Sequence, residues 1–210
     1  MIGIIDYRMG NLRSVQKAFE HVGEAAQILT KPKETSQVDR LVLPGVGAFA
    51  DGMRHLDEMG WSTAIRDFIH SGNPFLGICI GMQVLFESSQ EDARSPDKPI
   101  AGLSIFDGQV VRFKGDLFGA GKLKVPHMGW NSISWSHDDP ILAELEQNCA
   151  VYFVHCFYPR PAEQPLVSAV ADYGGPFCAS IWRDNIWATQ FHPEKSQRVG
   201  LRILSNFASV

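Results

Sequence analysis

The sequence predicts an α/β fold: a mostly parallel central sheet flanked by helices, with an antiparallel, β-rich second half completing the same domain. Three observations carry that prediction. Short apolar runs alternate with helical spacings from Ile2 to about Ser88, the rhythm of strands joined by crossover helices. Past Ser88, strand-like runs follow one another with few helices between them. Sharp turns end three of the early strands, after Tyr7, after Leu43 and at Cys79, and the carboxyl ends of parallel strands are where such sheets place ligand chemistry.

The elements follow in order. Ile2 to Tyr7 is a continuous apolar run closing on Asp6-Tyr7, as a strand buried on both faces requires. Asn11 is placed to cap the next helix, which sets Leu12, Val15, Ala18, Phe19 and Val22 on one face and stops at Gly23. Ala25 to Leu29 is a second strand and Leu41 to Leu43 a third, broken by Pro44-Gly45-Val46-Gly47. A helical region spans Phe49 to His70, divided at Gly60. Phe75, Leu76 and Ile78, fenced by Gly72-Asn73-Pro74, make a buried strand, and Ile80, Val84, Leu85 and Phe86, followed by Glu87, then switch to helical spacing.

Gln90 to Pro99 is polar and proline-bearing, hence a loop. Leu103 to Phe113, Trp130 to Trp135, Val151 to Phe157 and Leu166 to Tyr173 read as strands. Phe177 to Trp182 and Ile186 to Phe191 flank Arg183-Asp184-Asn185 as a tight hairpin. Asp139 to Leu145 is a short helix, and Lys195 to Ala208 is the last one. No linker divides the chain, so residues 1–210 are expected to form one domain.

At 210 residues, 45% hydrophobic and 20% charged, the chain has ample material for a core. Its net charge of −4 gives no reason to expect nucleic acid or an anionic membrane as a partner. No apolar run approaches the roughly 20 residues needed to span a bilayer. The first residues lack the basic flank and cleavage site of a signal peptide. Cys79, Cys149, Cys156 and Cys178 show no C-x-x-C spacing, which argues against a structural zinc or a disulfide framework and fits a reducing cytoplasm. Neither a metal nor a cofactor is expected.

The chemistry gathers at Gly77-Ile-Cys79-Ile-Gly81. A nucleophile on a sharp strand-to-helix turn needs small neighbours, because a Cβ there would strike crowded backbone. The turn pushes the sulfur into the open at the sheet's edge and aims it at the first helical N–H groups, which favour the reactive thiolate. A cysteine without that context is more often buried and inert. A nucleophilic Cys needs a base, and the base an orienting partner. His192 in Gln190-Phe-His192-Pro-Glu194 is the candidate base, with Pro193 stiffening the turn and Glu194 spaced to hold one ring nitrogen while the other faces Cys79. Taken alone, that segment reads equally well as a turn histidine beside a helix-starting glutamate; together with the Cys79 turn, the order Cys…His-x-Glu favours catalysis. Pro44-Gly-Val-Gly47 adds glycine N–H groups that, with the N–H of Ile80, suit an oxyanion.

Three stretches, Gly77-Ile-Cys79-Ile-Gly-Met-Gln83, Gln190-Phe-His192-Pro-Glu194-Lys-Ser196 and Leu43-Pro-Gly-Val-Gly-Ala-Phe49, resemble the class I (triad) glutamine amidotransferases, whose sheet is flavodoxin-like. More narrowly, Ile5-Asp-Tyr7, Met9-Gly-Asn11-Leu12 and Val125-Pro-His-Met-Gly-Trp-Asn131 resemble the glutaminase subunits of imidazole glycerol phosphate synthases, and the likeness runs over essentially the whole chain. The resemblance implies that Cys79 attacks the side-chain amide of L-glutamine, that His192 moves the proton and that Glu194 holds the imidazole. It implies an oxyanion hole from the backbone of Val46, Gly47 and Ile80, with Gly47 and Gln83 binding substrate and the peptide around Val46 able to turn. It implies a (β/α)8-barrel cyclase as partner in a heterodimer. That cyclase would take the ammonia and make imidazole glycerol phosphate and an aminoimidazole carboxamide ribotide, and Asn11, Met128 and Trp130 match positions at its interface.

Three positions depart from the family pattern. Arg8 stands where glycine is common, and Cys156-Phe157 stands where Ser-Tyr is expected, so a weaker hold on glutamine is anticipated. Two other functions keep this framework: a class I amidotransferase serving another pathway, and a catalytically dead docking subunit. The complete Cys79, His192 and Glu194 set argues against the second. An α/β-hydrolase esterase fits less well, since the acid follows the histidine in sequence.

Overall fold

The structure is a computed structural model and describes residues 1–91, 99–119 and 122–210. The first strand, β1 (Ile2–Ile5), is buried along its length and leads into α1 (Leu12–His21), whose Val15, Ala18 and Phe19 face the core. Asn11 occupies the N-cap, but its side chain makes no capping bond. Its backbone carbonyl accepts from Ser14 and Val15 and starts the helix instead. The next strands, β2 (Ala26–Leu29) and β3 (Arg40–Gly45), lie parallel on either side of β1. Contrary to the sequence reading, β3 does not break at Pro44, which pairs with Ile78 while Gly45 pairs with Cys79. Pairing of β3 with β1 ends at Val42, so the missing proline N–H interrupts nothing there.

Two helices follow, α2 (Phe49–Glu58) and α3 (Trp61–His70), separated at Gly60 with φ 76°. The chain then enters β4 (Phe75–Cys79), the central strand of the main sheet. The helix after it, α4 (Ile80–Gln83), is a single turn and not the longer helix that the apolar spacing suggested. Val84, Leu85 and Phe86 are all fully buried, so a helix continued through them would have no solvent face. The chain straightens into β5 (Phe86–Ser89), which pairs with β6 (Ile100–Ala101) and β7 (Phe106–Arg112). The loop expected over Gln90 to Pro99 lies mostly outside the described residues.

An antiparallel pair, β8 (His127–Ser132) and β9 (Ala150–His155), comes next. After a one-residue break, β10 (Phe157–Pro161) joins β7, a strand that the sequence reading, which stops at Phe157, does not include. The helix expected over Asp139 to Leu145 is only a 3-10 turn, Pro140–Leu142. There the buried Asp139 carboxylate caps Ile141 and also accepts from Trp187 and Ser168, tying the segment to the sheet before a second turn can form.

The main sheet is completed by β11 (Val167–Asp172), β12 (Pro176–Arg183) and β13 (Ile186–Thr189), in the order β11-β12-β13-β4-β3-β1-β2. The β12–β13 hairpin closes over Asp184-Asn185 with Arg183 opposite Ile186, and Asp184 takes φ 52°, as tight hairpin turns require. Because β13 returns parallel to β4, its carboxyl end delivers residues 190–194 beside the end of β4. A 3-10 turn, Pro193–Lys195, precedes the last helix, α5 (Gln197–Ser209), so that helix starts later than expected.

Candidate active site

Cys79 ends β4 with φ 55° and ψ −107°, a conformation that costs a non-glycine residue about 1–3 kcal/mol and persists only where the surroundings enforce it. They do so here. A Cβ on Gly77 would lie 2.5 Å from the Gly81 carbonyl oxygen, one on Gly81 would overlap the Leu43 carbonyl, and one on Gly45 would come within 2.7 Å of the Ile80 Cβ. The three glycines let β3, the turn and α4 close on one another. The sulfur is not in the open at the sheet's edge, as the sequence suggested. β4 is the middle strand of seven and Cys79 is 4% exposed.

His192 follows β13, its N–H donating to the Tyr152 carbonyl and its own carbonyl accepting from Ser196 Oγ. Its Nδ1 lies 2.8 Å from Glu194 Oε1, and both side chains are almost wholly buried. Burial pulls the imidazole pKa down, but the charge of Cys79 as a thiolate, and then the Glu194 carboxylate, outweigh it and raise the ring to about 10. The Nε2 atom has no partner of hydrogen-bond geometry among the described residues. It belongs to the same cavity as Cys79, whose charge is among the causes that raise the ring.

That cavity holds about 260 Å³ and includes Val46, Gly47, Cys79, Gln83, Glu91 and His192 in its lining. Gln83 is 2% exposed. Its Nε2 donates to the Phe157 carbonyl and to Gln190 Oε1, both at 3.0 Å, and its Oε1 has no partner among the described residues. Gln190 in turn directs its Nε2 to Cys79 Sγ at 3.6 Å. Glu91 accepts from the Phe49 N–H at 2.8 Å, at the N-terminus of α2, where the helix dipole favours a carboxylate.

A family model described as glutamine amidotransferase class-I matches residues 3–209. The chain belongs to the class I glutamine amidotransferase family. The amidotransferase is 54% identical over 211 residues to the imidazole glycerol phosphate synthase subunit HisH of Syntrophotalea carbinolica, covering 100% of both chains. It is 50% identical to the subunit of the same name from Geobacter sulfurreducens, covering 100% of this chain and 98% of the other. Among solved structures, PurLQS from Thermotoga maritima superimposes with a TM-score of 0.72 at 14% identity, over 99% of this chain and 97% of that one, a likeness of fold.

Within the amidotransferase, the structure gathers Cys79, His192, Glu194, Val46, Gly47, Ile80 and Gln83 around one cavity or against its lining. Sequence reasoning passed over two neighbours as site residues. Gln190 lies in the Gln190-Phe-His192-Pro-Glu194 stretch, but the apolar run from Ile186 to Phe191 reads as a strand. Glu91 fell in a polar stretch with no signal of its own, and it reaches the cavity because β5 carries the chain back across the α2 N-terminus. Phe157 takes part through its carbonyl, so the missing tyrosine hydroxyl leaves the Gln83 contact intact. Cys156 also lines the cavity, its thiol pKa raised chiefly by burial and then by Glu91. Arg8 takes φ 69°, a left-handed conformation that favours the glycine common there. Asn11 is exposed at the start of α1, at the carboxyl end of β1. Met128 and Trp130 share one face of β8 and are 61% and 49% exposed, so Trp130 does not pack back into its own core. Among the described residues no helix is long and apolar enough to cross a membrane.

Proposed function

We propose that this chain is the glutaminase subunit of an imidazole glycerol phosphate synthase, hydrolysing L-glutamine and supplying ammonia to a cyclase subunit in histidine biosynthesis. The observation that carries the reading is the buried Cys79, His192 and Glu194 set on one cavity, in a chain 54% identical along its whole length to such a subunit.

The Cys79 thiolate adds to the side-chain amide carbon of glutamine, and the oxyanion that forms is held by the N–H groups of Ile80 and of the Val46–Gly47 segment. His192 carries the proton taken from the thiol and gives it to the amide nitrogen, so the C–N bond breaks and ammonia leaves. Water then adds to the thioester, His192 accepts its proton, and glutamate departs as the thiolate re-forms. Glu194 keeps the Nδ1 proton in place, so that Nε2 does the work. Gln83 Oε1 and the Glu91 carboxylate offer acceptors to the α-ammonium of the substrate, with Gly47 supplying backbone.

The exposed Met128 and Trp130, with Asn11, form the docking face for a (β/α)8-barrel cyclase, because exposed Trp and Met are the residues interfaces favour. The continuous core supports a single domain over residues 1–210, and reduced cysteines suit the cytoplasm. The test is glutamate release by the purified chain, alone and with the cyclase and its ribulosyl ligand. Strong turnover in the full mixture that disappears in Cys79→Ala, with docking retained, supports the reading. Turnover surviving in Cys79→Ala would refute the nucleophile, and none in wild type would favour a dead docking subunit.

A further inference from the structure

We infer that His155, held by His127, is a positioning residue for the cavity: through the Phe157 carbonyl it fixes the amide of Gln83. The inference rests on the cavity being the glutamine site.

The hydrogen bonds of this group admit one proton arrangement. The Phe157 carbonyl only accepts, so His155 Nδ1, 2.8 Å away, carries the hydrogen. In a neutral ring Nε2 is then an acceptor, and His127 Nδ1, at 3.0 Å, must donate to it. That leaves His127 Nε2 to accept from Asn131 Nδ2 at 3.3 Å. The Asn131 amide is oriented independently: Nδ2 also donates to the Asp172 carbonyl and Oδ1 accepts from the Ser132 N–H, each at 2.8 Å. Every donor points the same way, from Asn131 toward Phe157. Burial holds His127 at about 4 and His155 at about 3, so both rings stay neutral and the order persists at working pH.

The end of this chain is the Gln83 amide. Its Nε2 faces two acceptors, the Phe157 carbonyl and Gln190 Oε1, so a flipped amide would set oxygen against oxygen at both. With His155 occupying one lone pair of the Phe157 carbonyl and Gln83 the other, that peptide has little freedom to turn. Gln83 Oε1 is thereby kept available as an acceptor on the substrate side. The triad uses neither histidine; His155 also lines the cavity beside Phe157, and both rings have aromatic neighbours, His127 stacked on Tyr173 at 4.0 Å and His155 5.2 Å from Phe113. Apolar rings would pack there without the cost of burying two imidazoles.

The experiment uses the complex with the cyclase and its ligand and measures glutamine kcat and KM. His155→Phe keeps a ring among its aromatic neighbours and removes the donor, whereas His155→Asn places an amide nitrogen near the position of Nδ1. Loss of a buried hydrogen-bond partner should raise KM roughly tenfold in His155→Phe, and His155→Asn should recover most of it. In a Gln83→Ala background His155→Phe should add no further rise, because the two act as one unit. Iodoacetamide labelling of the Cys79 peptide should keep its wild-type rate, since His192 and Glu194 are untouched. Should His155→Phe fail to fold, His127→Phe, which leaves His155 Nε2 without its donor, carries the same test. A wild-type KM in the folded variant, additivity with Gln83→Ala, or a matching fall in Cys79 labelling would overturn the inference. Absence of glutamine turnover by wild type would overturn the site reading itself, and this inference with it.

Discussion

Replacing Glu194 by Gln removes a charge and almost no volume from the most buried ion pair of the site. Glu194 Oε1 is 2.8 Å from His192 Nδ1, and the two side chains are 2% and 1% exposed, so water screens little of the interaction. A hydrogen bond to a charged group contributes about 1.5–3 kcal/mol, and at about 1.4 kcal/mol per unit its loss lowers the His192 pKa by roughly one to two units. Orientation suffers as well. A glutamine nitrogen can donate to Nδ1, which moves the ring proton to Nε2 and leaves no acceptor for the thiol proton. The same acid-to-amide change in a serine protease triad costs about 10⁴ in kcat, so a fall of roughly 10²- to 10⁴-fold is expected here. Glu194 does not line the cavity, so glutamine KM should change little. The assay is glutamate release by the cyclase complex across the pH range, beside iodoacetamide labelling of Cys79 at each pH. The alkaline limb, where the imidazolium loses its proton, should move to lower pH. A kcat near the wild-type value with an unmoved alkaline limb would refute the role given to Glu194.

Other expectations follow from the same geometry. Glu91→Gln should raise glutamine KM about tenfold or more with kcat largely kept, if the proposed contact to the α-ammonium is charge-assisted; an unchanged KM would remove Glu91 from the substrate site. Trp130→Ala together with Met128→Ala should weaken cyclase binding by roughly 2 kcal/mol or more in calorimetry, as interface anchors do, while the melting temperature stays put because both side chains are exposed. Stability should also depend on pH in two windows. His127 and His155 have folded pKa values depressed to about 4 and about 3 from 6.5, so their neutral burial is free of penalty above 6.5. As pH falls below that value the unfolded chain gains protons first, and each ring costs at most about 1.4 kcal/mol per pH unit. His192 is raised to about 10, so its contribution is complete below 6.5 and is lost as pH rises toward its folded value. Melting temperatures should therefore fall on both sides of 6.5, less steeply on the acid side in His127→Phe; an acid limb unchanged by that substitution would refute the assignment.

The early strands and helices were legible because each has a pattern that local physics makes nearly unique. Ile2 to Ile5 and Phe75 to Cys79 are apolar runs between turn residues, and α1 buries one face at helical spacing. The Cys79 turn was legible for the same reason, since only glycine at 77 and 81 lets the backbone close there. Val84-Leu85-Phe86 was not, because three buried apolar residues fit a helix or a strand equally and only the approach of β6 and β7 decides. Asp139 was likewise illegible, its helix cut short by partners 29 and 48 residues away.

The sequence by itself determined the α/β rhythm, the glycine-flanked turn that carries Cys79 and the His192-Pro-Glu194 segment, because each depends on residues a few positions apart. Only the tertiary structure decided that β13 returns beside β4, setting His192 against a cysteine 113 positions earlier in the chain. It alone brought Glu91 to the α2 N-terminus and joined Asn131, His127 and His155 to Gln83 through the Phe157 carbonyl. Those contacts form between distant segments with no periodic signature, and they exist only once the sheet order and the burial of each strand have been settled together.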